Sequence, residues 1–173
     1  FGSLGSGDTD LLQRLIAAKP ADPAPRFLLG VIFADTQRNA DAIDVFTRLT
    51  LDYPELAEAH NNLAVLQELS GDLASAEMML RTALAEDSTM AQVSKNLGDL
   101  LYRAGRYDDA FEAYERAAKL SPDLGDDLYF KMGNIAFKRR DKERARVCWK
   151  RVTELNPGHQ LARANLDTLD ATA

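Results

Sequence analysis

The sequence repeats itself with a period of 34 residues, and this period limits the possible folds more than any other feature. Three kinds of residue recur in phase: a small residue, an alanine twelve positions later, and a large side chain four positions after that alanine. The three sets are Gly30, Ala64, Gly98 and Gly133; Ala42, Ala76, Ala110 and Ala145; and Phe46, Leu80, Tyr114 and Trp149. One extra residue separates the third and fourth members, and we place it at Gly125. A fixed period of this length is typical of solenoids and other repeat proteins.

Within each period the apolar residues follow the spacing of two helices. In the third period, Leu97 and Leu101 lie on one apolar stripe, and Ala110 and Tyr114 lie on a second stripe after the turn at Gly105. No convincing alternation of apolar and polar residues suggests a strand. We therefore predict an all-α chain in which each period is a helical hairpin. A small residue on the first helix lets the two helices approach closely, and the large residue on the second fills the adjacent space.

This arrangement resembles the tetratricopeptide repeat family. The family signature has Leu-Gly in the first helix, alanine and an aromatic residue in the second, and a closing proline. The residues that carry the resemblance are Leu29-Gly30, Phe33, Ala42, Phe46 and Pro54; Leu63-Ala64, Ala76, Leu80 and Ser88; Leu97-Gly98, Ala110, Tyr114 and Pro122; and Tyr129, Met132-Gly133, Ala145, Trp149 and Pro157. The signature also has an aromatic residue near the start of the first helix. Tyr129 occupies this leading position in the fourth repeat, and Arg26, His60 and Ser94 occupy it in the first three repeats.

The resemblance implies an α-solenoid, a right-handed superhelix of about four helical hairpins with a partial unit at each end. We expect one continuous domain. Its predicted segments are a linker or cloning remnant at 1–8, an N-terminal half-repeat helix at 9–19, repeats at 23–56, 57–90, 91–124 and 126–159, and a C-terminal capping helix at 160–170. The last helix is either a cap or the start of a fifth unit.

Composition excludes several classes of function. The 21 basic and 27 acidic residues give a net charge of -6, which does not favour non-specific attraction to nucleic acid or to an anionic membrane surface. No apolar stretch is long enough for membrane insertion. The single cysteine, Cys148, cannot form an internal disulfide, and we expect it to be a packing residue. We expect His60 to lie in the core and His159 to be exposed.

The sequence contains no phosphate-binding loop, nucleophile elbow or metal-ligand spacing. We therefore predict no enzymatic activity, no cofactor, no metal and no small-molecule substrate.

The resemblance also implies a concave face, lined by the first helix of each hairpin, that binds a protein or peptide. By this analogy the candidate contact residues are Asn61, Lys95, Tyr102, Phe130, Asn134 and Phe137. A second set resembles the asparagine ladder of some family members. Asn62, Asn96 and Lys131 lie two residues before the small residues of the last three repeats, and Asn165 lies 34 positions after Lys131. An asparagine amide can bond both groups of a peptide backbone. The asparagines could instead bond solvent or an adjacent helix, and Phe130 and Phe137 could simply pack against a neighbouring repeat.

No three consecutive repeats supply the residues of the family's clamp for acidic C-terminal tails, because Asp99 stands where asparagine is required. A basic cluster at residues 138–146 suggests a solvated turn, an acidic partner, or stacking of the basic end of one copy on the acidic end of another copy.

We predict a non-enzymatic scaffold for protein–protein interaction. The alternatives are a self-assembling module that forms homo-oligomers and a regulatory fragment of a larger protein. The sequence does not identify a compartment.

Overall fold

A computed structural model describes residues 6–171, with side chains described from residue 9 onward, and these residues form ten helices and no strand. The prediction of an all-α chain is therefore confirmed for the described residues. The helices are α1 (Ser6–Ala18), α2 (Pro23–Asp35), α3 (Asn39–Asp52), α4 (Ala57–Leu69), α5 (Leu73–Glu86), α6 (Ala91–Arg103), α7 (Tyr107–Leu120), α8 (Asp126–Lys138), α9 (Lys142–Leu155) and α10 (Gln160–Ala171).

The helices pair as antiparallel hairpins. The pairs α2–α3, α4–α5, α6–α7 and α8–α9 each lie within one predicted repeat, and α1 and α10 stand at the two ends. Helix α1 begins at Ser6, inside the segment that we expected to be a linker, and residues 1–5 of that segment lie outside the described residues. The division into repeats stays a prediction.

The chain divides into two compact units, residues 1–88 and residues 89–173. Unit 1 contains α1 to α5, and its core includes Leu12, Phe33, Phe46 and Leu63. Unit 2 contains α6 to α10, and its largest fully buried side chains are Tyr114, Leu100, Leu101, Leu128, Ile135, Leu169, Val93 and Val152. No helix among the described residues is long and apolar enough to cross a membrane.

The close approach expected at the small residues is observed. A Cβ atom at Gly30 would lie 2.8 Å from Phe46 Cζ, so the glycine is required by the ring on the facing helix. A Cβ atom at Gly98 would lie 2.6 Å from Tyr114 Cδ1, and a Cβ atom at Gly133 would lie 2.5 Å from Trp149 Cδ1. In the α4–α5 hairpin, Ala64 and the smaller Leu80 take these two places, and both are buried. A larger residue on one helix is therefore matched by a smaller one on the other.

The turn inside each hairpin uses one residue in the left-handed backbone region. The φ angles are 61° at Gln37, 89° at Gly71, 76° at Gly105 and 63° at Arg140. These four positions follow the sequence period, and only two of them are glycine. Since residues other than glycine adopt this conformation at a cost, Gln37 and Arg140 are held there by the hairpin around them.

The leading position of the first helix bonds back to the loop that precedes it. Three different side chains reach a proline carbonyl oxygen: Arg26 Nη2 to Pro20 at 3.1 Å, His60 Nε2 to Pro54 at 2.9 Å, and Tyr129 Oη to Pro122 at 2.8 Å. His60 is buried, as expected. Ser94, which is too short for this reach, has a buried hydroxyl without a hydrogen-bond partner in the described part of the chain. Arginine, histidine and tyrosine at this leading position therefore all bond the preceding loop to the first helix.

Candidate functional site

Eight of the ten predicted contact residues lie in unit 2. They are Lys95, Asn96 and Tyr102 on α6, Phe130, Lys131, Asn134 and Phe137 on α8, and Asn165 on α10. Asn61 and Asn62 lie on α4 in unit 1. All ten side chains are half-buried except Phe137, which is 46% exposed. The first helices of unit 2 therefore carry most of the candidate site.

Four of these residues line one cavity of about 320 Å³ in unit 2. Tyr102 comes from α6, Asn134 and Phe137 come from α8, and Asn165 comes from α10. Three further residues complete the lining: Lys138, Trp149 and Thr168. The structure thus brings together residues of α6, α8 and α10, although Tyr102 and Asn165 lie more than sixty positions apart in the sequence.

The wall of the cavity is aromatic, and one amide is fixed against it. The rings of Phe137 and Trp149 lie with centroids 5.6 Å apart. Trp149 Nε1 donates a hydrogen bond to Asn134 Oδ1 at 3.3 Å. Because Oδ1 is engaged, Nδ2 is the end of the Asn134 amide that remains available to a ligand. The Asn165 amide has no hydrogen bond to any other described residue, so both of its ends remain available.

The lining also includes a tyrosine and a lysine, Tyr102 and Lys138. Tyr102 contacts Tyr107 edge-on, with ring centroids 5.2 Å apart. The ammonium group of Lys138 lies 4.1 Å from the centroid of the Tyr107 ring. None of the seven lining residues is acidic. Such a cavity suits an apolar side chain whose neighbouring backbone bonds to the amides.

A network of four charged side chains lies beside the cavity, between α6 and α8. Lys95 Nζ lies 3.0 Å from Asp99 Oδ2 and 2.8 Å from Asp127 Oδ2. Lys131 Nζ bonds Asp99 Oδ1 and lies 3.6 Å from Asp127 Oδ2. The hydroxyl of Tyr114 donates to Asp99 Oδ1 at 2.7 Å. Two ammonium groups thus share two carboxylates.

The network changes the proton affinity of its members. Burial alone would raise the pKa of Asp99, but hydrogen bonds from Lys131, Tyr114 and Lys95 outweigh burial and hold that pKa below its usual value. Burial opposes the charge of Lys95 as well, yet its bonds to Asp127 and Asp99 raise its pKa. Burial and the bond to Asp99 raise the pKa of Tyr114 far above its ordinary value. Asp99 and Lys95 therefore stay ionised near neutral pH.

The residues of the predicted asparagine row differ from one another in their surroundings. Asn62 Nδ2 donates to the Glu58 carbonyl oxygen of its own helix at 2.8 Å. Asn96 Oδ1 accepts from Gln92 Nε2 at 2.8 Å. Lys131 is held by the charged network, and Asn165 lines the cavity. A row of four equivalent peptide-binding side chains stays a prediction, and Asn165 is the member placed most favourably for it.

Phe130 packs against the segment that leads into α10. Its ring centroid lies 4.6 Å from that of His159. His159 is half-buried, and its Nδ1 accepts a hydrogen bond from Ala162 N at 3.2 Å. The expectation that His159 is exposed is therefore wrong, because the ring both covers Phe130 and caps the start of α10.

The basic cluster at residues 138–146 is partly compensated within unit 2. Three of its four arginines form ion pairs with carboxylates of α7 and α10: Arg139 with Asp108, Arg144 with Glu115, and Arg146 with Asp170. The guanidinium groups of Arg139 and Arg144 also lie 4.8 Å and 4.7 Å from the centroid of the Phe111 ring. Residues 138–144 are exposed, so the interpretation of the cluster as a solvated turn stays a prediction, to which the structure adds acidic partners on neighbouring helices.

Other chemical groups offer little for catalysis in the part of the chain that the structure describes. No group of histidine, cysteine, aspartate and glutamate residues there could hold a metal ion. Cys148 is buried, and burial raises the pKa of its thiol to about 11. The thiolate that would act as a nucleophile is therefore scarce at neutral pH.

Several residues of the site lie outside the ten predicted contact residues, among them Thr168, Trp149 and Asp127. Thr168 lies 34 positions after Asn134, so extending the sequence period into α10 would have identified it. Trp149 was assigned to the core, but its edge also lines the cavity. Asp127 had no signal in the sequence, because its contact with Lys95 depends on how α8 is rotated against α6.

Comparison with known proteins places the chain among repeat proteins. A family model described as tetratricopeptide repeat matches residues 10–52, 37–91 and 70–124, and a second model with the same description matches residues 127–159. The type IV pilus assembly protein PilF of Pseudomonas aeruginosa is 29% identical over 161 residues, which cover 90% of this chain and 62% of PilF. The protein O-mannosyl-transferase TMTC1 of Mus musculus is 24% identical over 159 residues, which cover 90% of this chain and 17% of TMTC1. The chain thus spans less than two thirds of each of these relatives.

Solved structures show the same fold. YrrB, described as a tetratricopeptide repeat protein with an unusual peptide-binding site, superposes with a TM-score of 0.82 at 18% identity, over 93% of this chain and 82% of YrrB. MamA superposes with a TM-score of 0.76 at 21% identity, over 86% of each chain. These likenesses confirm the predicted solenoid class. Since the family models together match most of the sequence, the chain belongs to the tetratricopeptide repeat family.

Proposed function

We propose that this chain is a non-enzymatic scaffold that binds an extended segment of another protein on the face of unit 2 formed by α6, α8 and α10. Tetratricopeptide repeats are in general scaffolds for protein–protein interaction, because stacked hairpins present extended surfaces to other chains. The proposal adds a location and a type of ligand to this general role.

The observation that carries the proposal is the cavity lined by residues of α6, α8 and α10. Its volume of about 320 Å³ suits one large apolar side chain of a partner. Phe137 and Trp149 provide apolar contact, while the amides of Asn134 and Asn165 can bond the partner's backbone on either side of that side chain. An exposed aromatic residue beside available amides is a common arrangement at binding surfaces.

The two competing functions have less support. Stacking of the basic end of one copy on the acidic end of another would use arginines that already bond carboxylates within unit 2. The match to a mannosyl-transferase covers 17% of that protein, which is too little to transfer its activity to this chain. YrrB is described by a peptide-binding site and PilF by its part in pilus assembly, and both descriptions favour a protein or peptide ligand.

The test is a selection of random linear peptides displayed on phage against the full chain. The enriched peptide is then labelled with fluorescein, and its dissociation constant is measured by fluorescence polarisation. We expect Asn165→Ala to weaken binding by about tenfold, which corresponds to ~1.4 kcal/mol. Asn39→Ala, an exposed asparagine at the start of α3, is the matched control and leaves binding unchanged.

Two results would oppose the proposal. The first is that selection enriches no peptide, and the second is that the enriched peptide binds Asn165→Ala and Phe137→Ala as tightly as wild type. Light scattering over a concentration series completes the test, because growing oligomers in the absence of peptide would favour self-assembly instead.

A further inference from the structure

The charged network of Lys95, Asp99, Asp127 and Lys131 occupies the same face of unit 2 as the proposed peptide site. It spans α6 and α8, and each lysine contacts both carboxylates within 4 Å. The ammonium groups thus have two internal partners each, and a ligand carboxylate would have to compete with both.

The network is more shielded than an ordinary helix-surface ion pair. The side chains of Lys95, Asp99 and Lys131 are 15%, 23% and 28% exposed, whereas those of the pair Arg48 and Asp44 are 71% and 61% exposed. Partial burial strengthens the internal attraction, and the hydroxyl of Tyr114 holds Asp99 in place from the other side. Only Asp127, at 48% exposure, lies near the open surface.

We propose that Asp99 and Asp127 act as built-in carboxylate partners of the two lysines, so that this face rejects acidic segments and Asp99 determines the charge of the ligand. A ligand carboxylate would have to displace a partner that is already positioned by the fold. It would also lie beside the negative charges of Asp99 and Asp127, which repel it. The inference rests on the proposed function in one respect, namely that ligands lie on this face.

The experiment removes the internal carboxylates and supplies an external one. Full-length chains carrying Asp99→Asn, Asp127→Asn or both are titrated into fluorescein-labelled hexaglutamate with an amidated C-terminus, and binding is followed by polarisation at low salt and at about 150 mM salt. We expect the double variant to bind at least about tenfold more tightly than wild type. Adding Lys131→Gln to the double variant removes most of this gain.

A matched control separates local from overall charge. The double variant Glu112→Gln and Asp167→Asn also removes two negative charges, but from exposed positions of unit 2 outside the network. We expect this variant to show no comparable gain in hexaglutamate binding. Asparagine at position 99 keeps an acceptor oxygen for the hydroxyl of Tyr114, which favours retention of the fold. If Asp99→Asn nevertheless unfolds, the half-exposed Asp127→Asn alone should still bind hexaglutamate several-fold more tightly than wild type.

The inference is overturned if wild type binds hexaglutamate as tightly as the double variant, or if the control variant gains as much. The peptide enriched for the proposed function is measured in parallel. A peptide that binds Asn165→Ala as tightly as wild type, together with a gain for hexaglutamate in the double variant, would refute the proposed function alone. A peptide that is sensitive to Asn165→Ala, with no gain for hexaglutamate, would refute this inference alone.

Discussion

Gly30 and Phe46 provide a direct test of how the hairpins pack. Gly30→Ala places a Cβ atom 2.8 Å from Phe46 Cζ and 3.0 Å and 3.1 Å from the two Cε atoms. Phe46 is fully buried, and its ring also contacts Phe27 edge-on with centroids 5.5 Å apart, so the ring has little room to move away. The α4–α5 hairpin shows the natural solution, since it combines Ala64 with the smaller Leu80.

Two opposing effects set the size of the change. Replacing glycine by alanine inside a helix stabilises the folded chain by about 1 kcal/mol. Forcing an additional methyl group into a closely packed site costs about 1–3 kcal/mol. Because three ring atoms would lie within 3.1 Å of the new Cβ, we expect the steric cost to prevail. Gly30→Ala should therefore lower the free energy of unfolding by about 1 kcal/mol.

In a Phe46→Leu background the same substitution should have the opposite sign. The shorter side chain removes the clash and leaves the gain in helix propensity, so Gly30→Ala should stabilise that background by up to about 1 kcal/mol. The coupling between the two positions is then roughly 2 kcal/mol. Urea denaturation of the four chains, followed by far-ultraviolet circular dichroism, provides the comparison. Repeat proteins do not always unfold in one step, so the transition midpoints are compared as well as the extrapolated free energies. A stabilising effect of Gly30→Ala in wild type, or equal effects in both backgrounds, would refute the packing argument.

Two further predictions concern the turns and the charged network. Gln37→Gly and Arg140→Gly should each raise the free energy of unfolding, measured by urea denaturation, by about 0.5–1 kcal/mol. The reason is that Gly71 and Gly105 adopt the same left-handed conformation without strain. Destabilisation would show that the native side chains make compensating contacts. The pKa of Asp99 is lower in the folded chain than its ordinary value of 3.8, so its ionised form stabilises the fold above that pH, and this contribution is lost as the pH falls through the folded pKa. Between about pH 6 and pH 3 the urea midpoint of wild type should therefore fall more than that of Asp99→Asn, and parallel declines would contradict the assignment.

The fold was predictable because the same packing pattern, a small residue that faces a large one, recurs in each hairpin of the sequence. A single glycine or alanine says little, but Gly30, Gly98 and Gly133 face Phe46, Tyr114 and Trp149 in the same geometry. Repetition turns a weak local preference into a strong one, and it also located four of the seven residues that line the cavity.

The partners of charged side chains were much less predictable. Lys131 was placed in a row of peptide-contacting residues, yet it bonds Asp99, which lies 32 positions earlier. Arg139 was assigned to a solvated turn, yet it bonds Asp108. Such contacts depend on the rotation and spacing of neighbouring helices within about an ångström, and side-chain periodicity does not contain that information.

One further regularity connects packing with the position of the site. The residue that follows the small residue accepts a hydrogen bond from the large side chain of the second helix in both complete hairpins of unit 2. The Tyr114 hydroxyl donates to Asp99 at 2.7 Å, and Trp149 Nε1 donates to Asn134 at 3.3 Å. A buried aromatic residue with a polar hydrogen needs such an acceptor.

Unit 1 shows the complementary case. The same position is valine in its two complete hairpins, as Val31 and Val65, and the large side chains of their second helices are Phe46 and Leu80, which have no hydrogen to donate. The choice of a polar or an apolar residue on the first helix is thus tied to the side chain that packs behind it. Once tyrosine and tryptophan fill the hairpins of unit 2, polar groups must appear on its first helices, and those are the groups that the charged network and the cavity use. The location of the candidate site in unit 2 therefore follows from the core of its hairpins as well as from its surface.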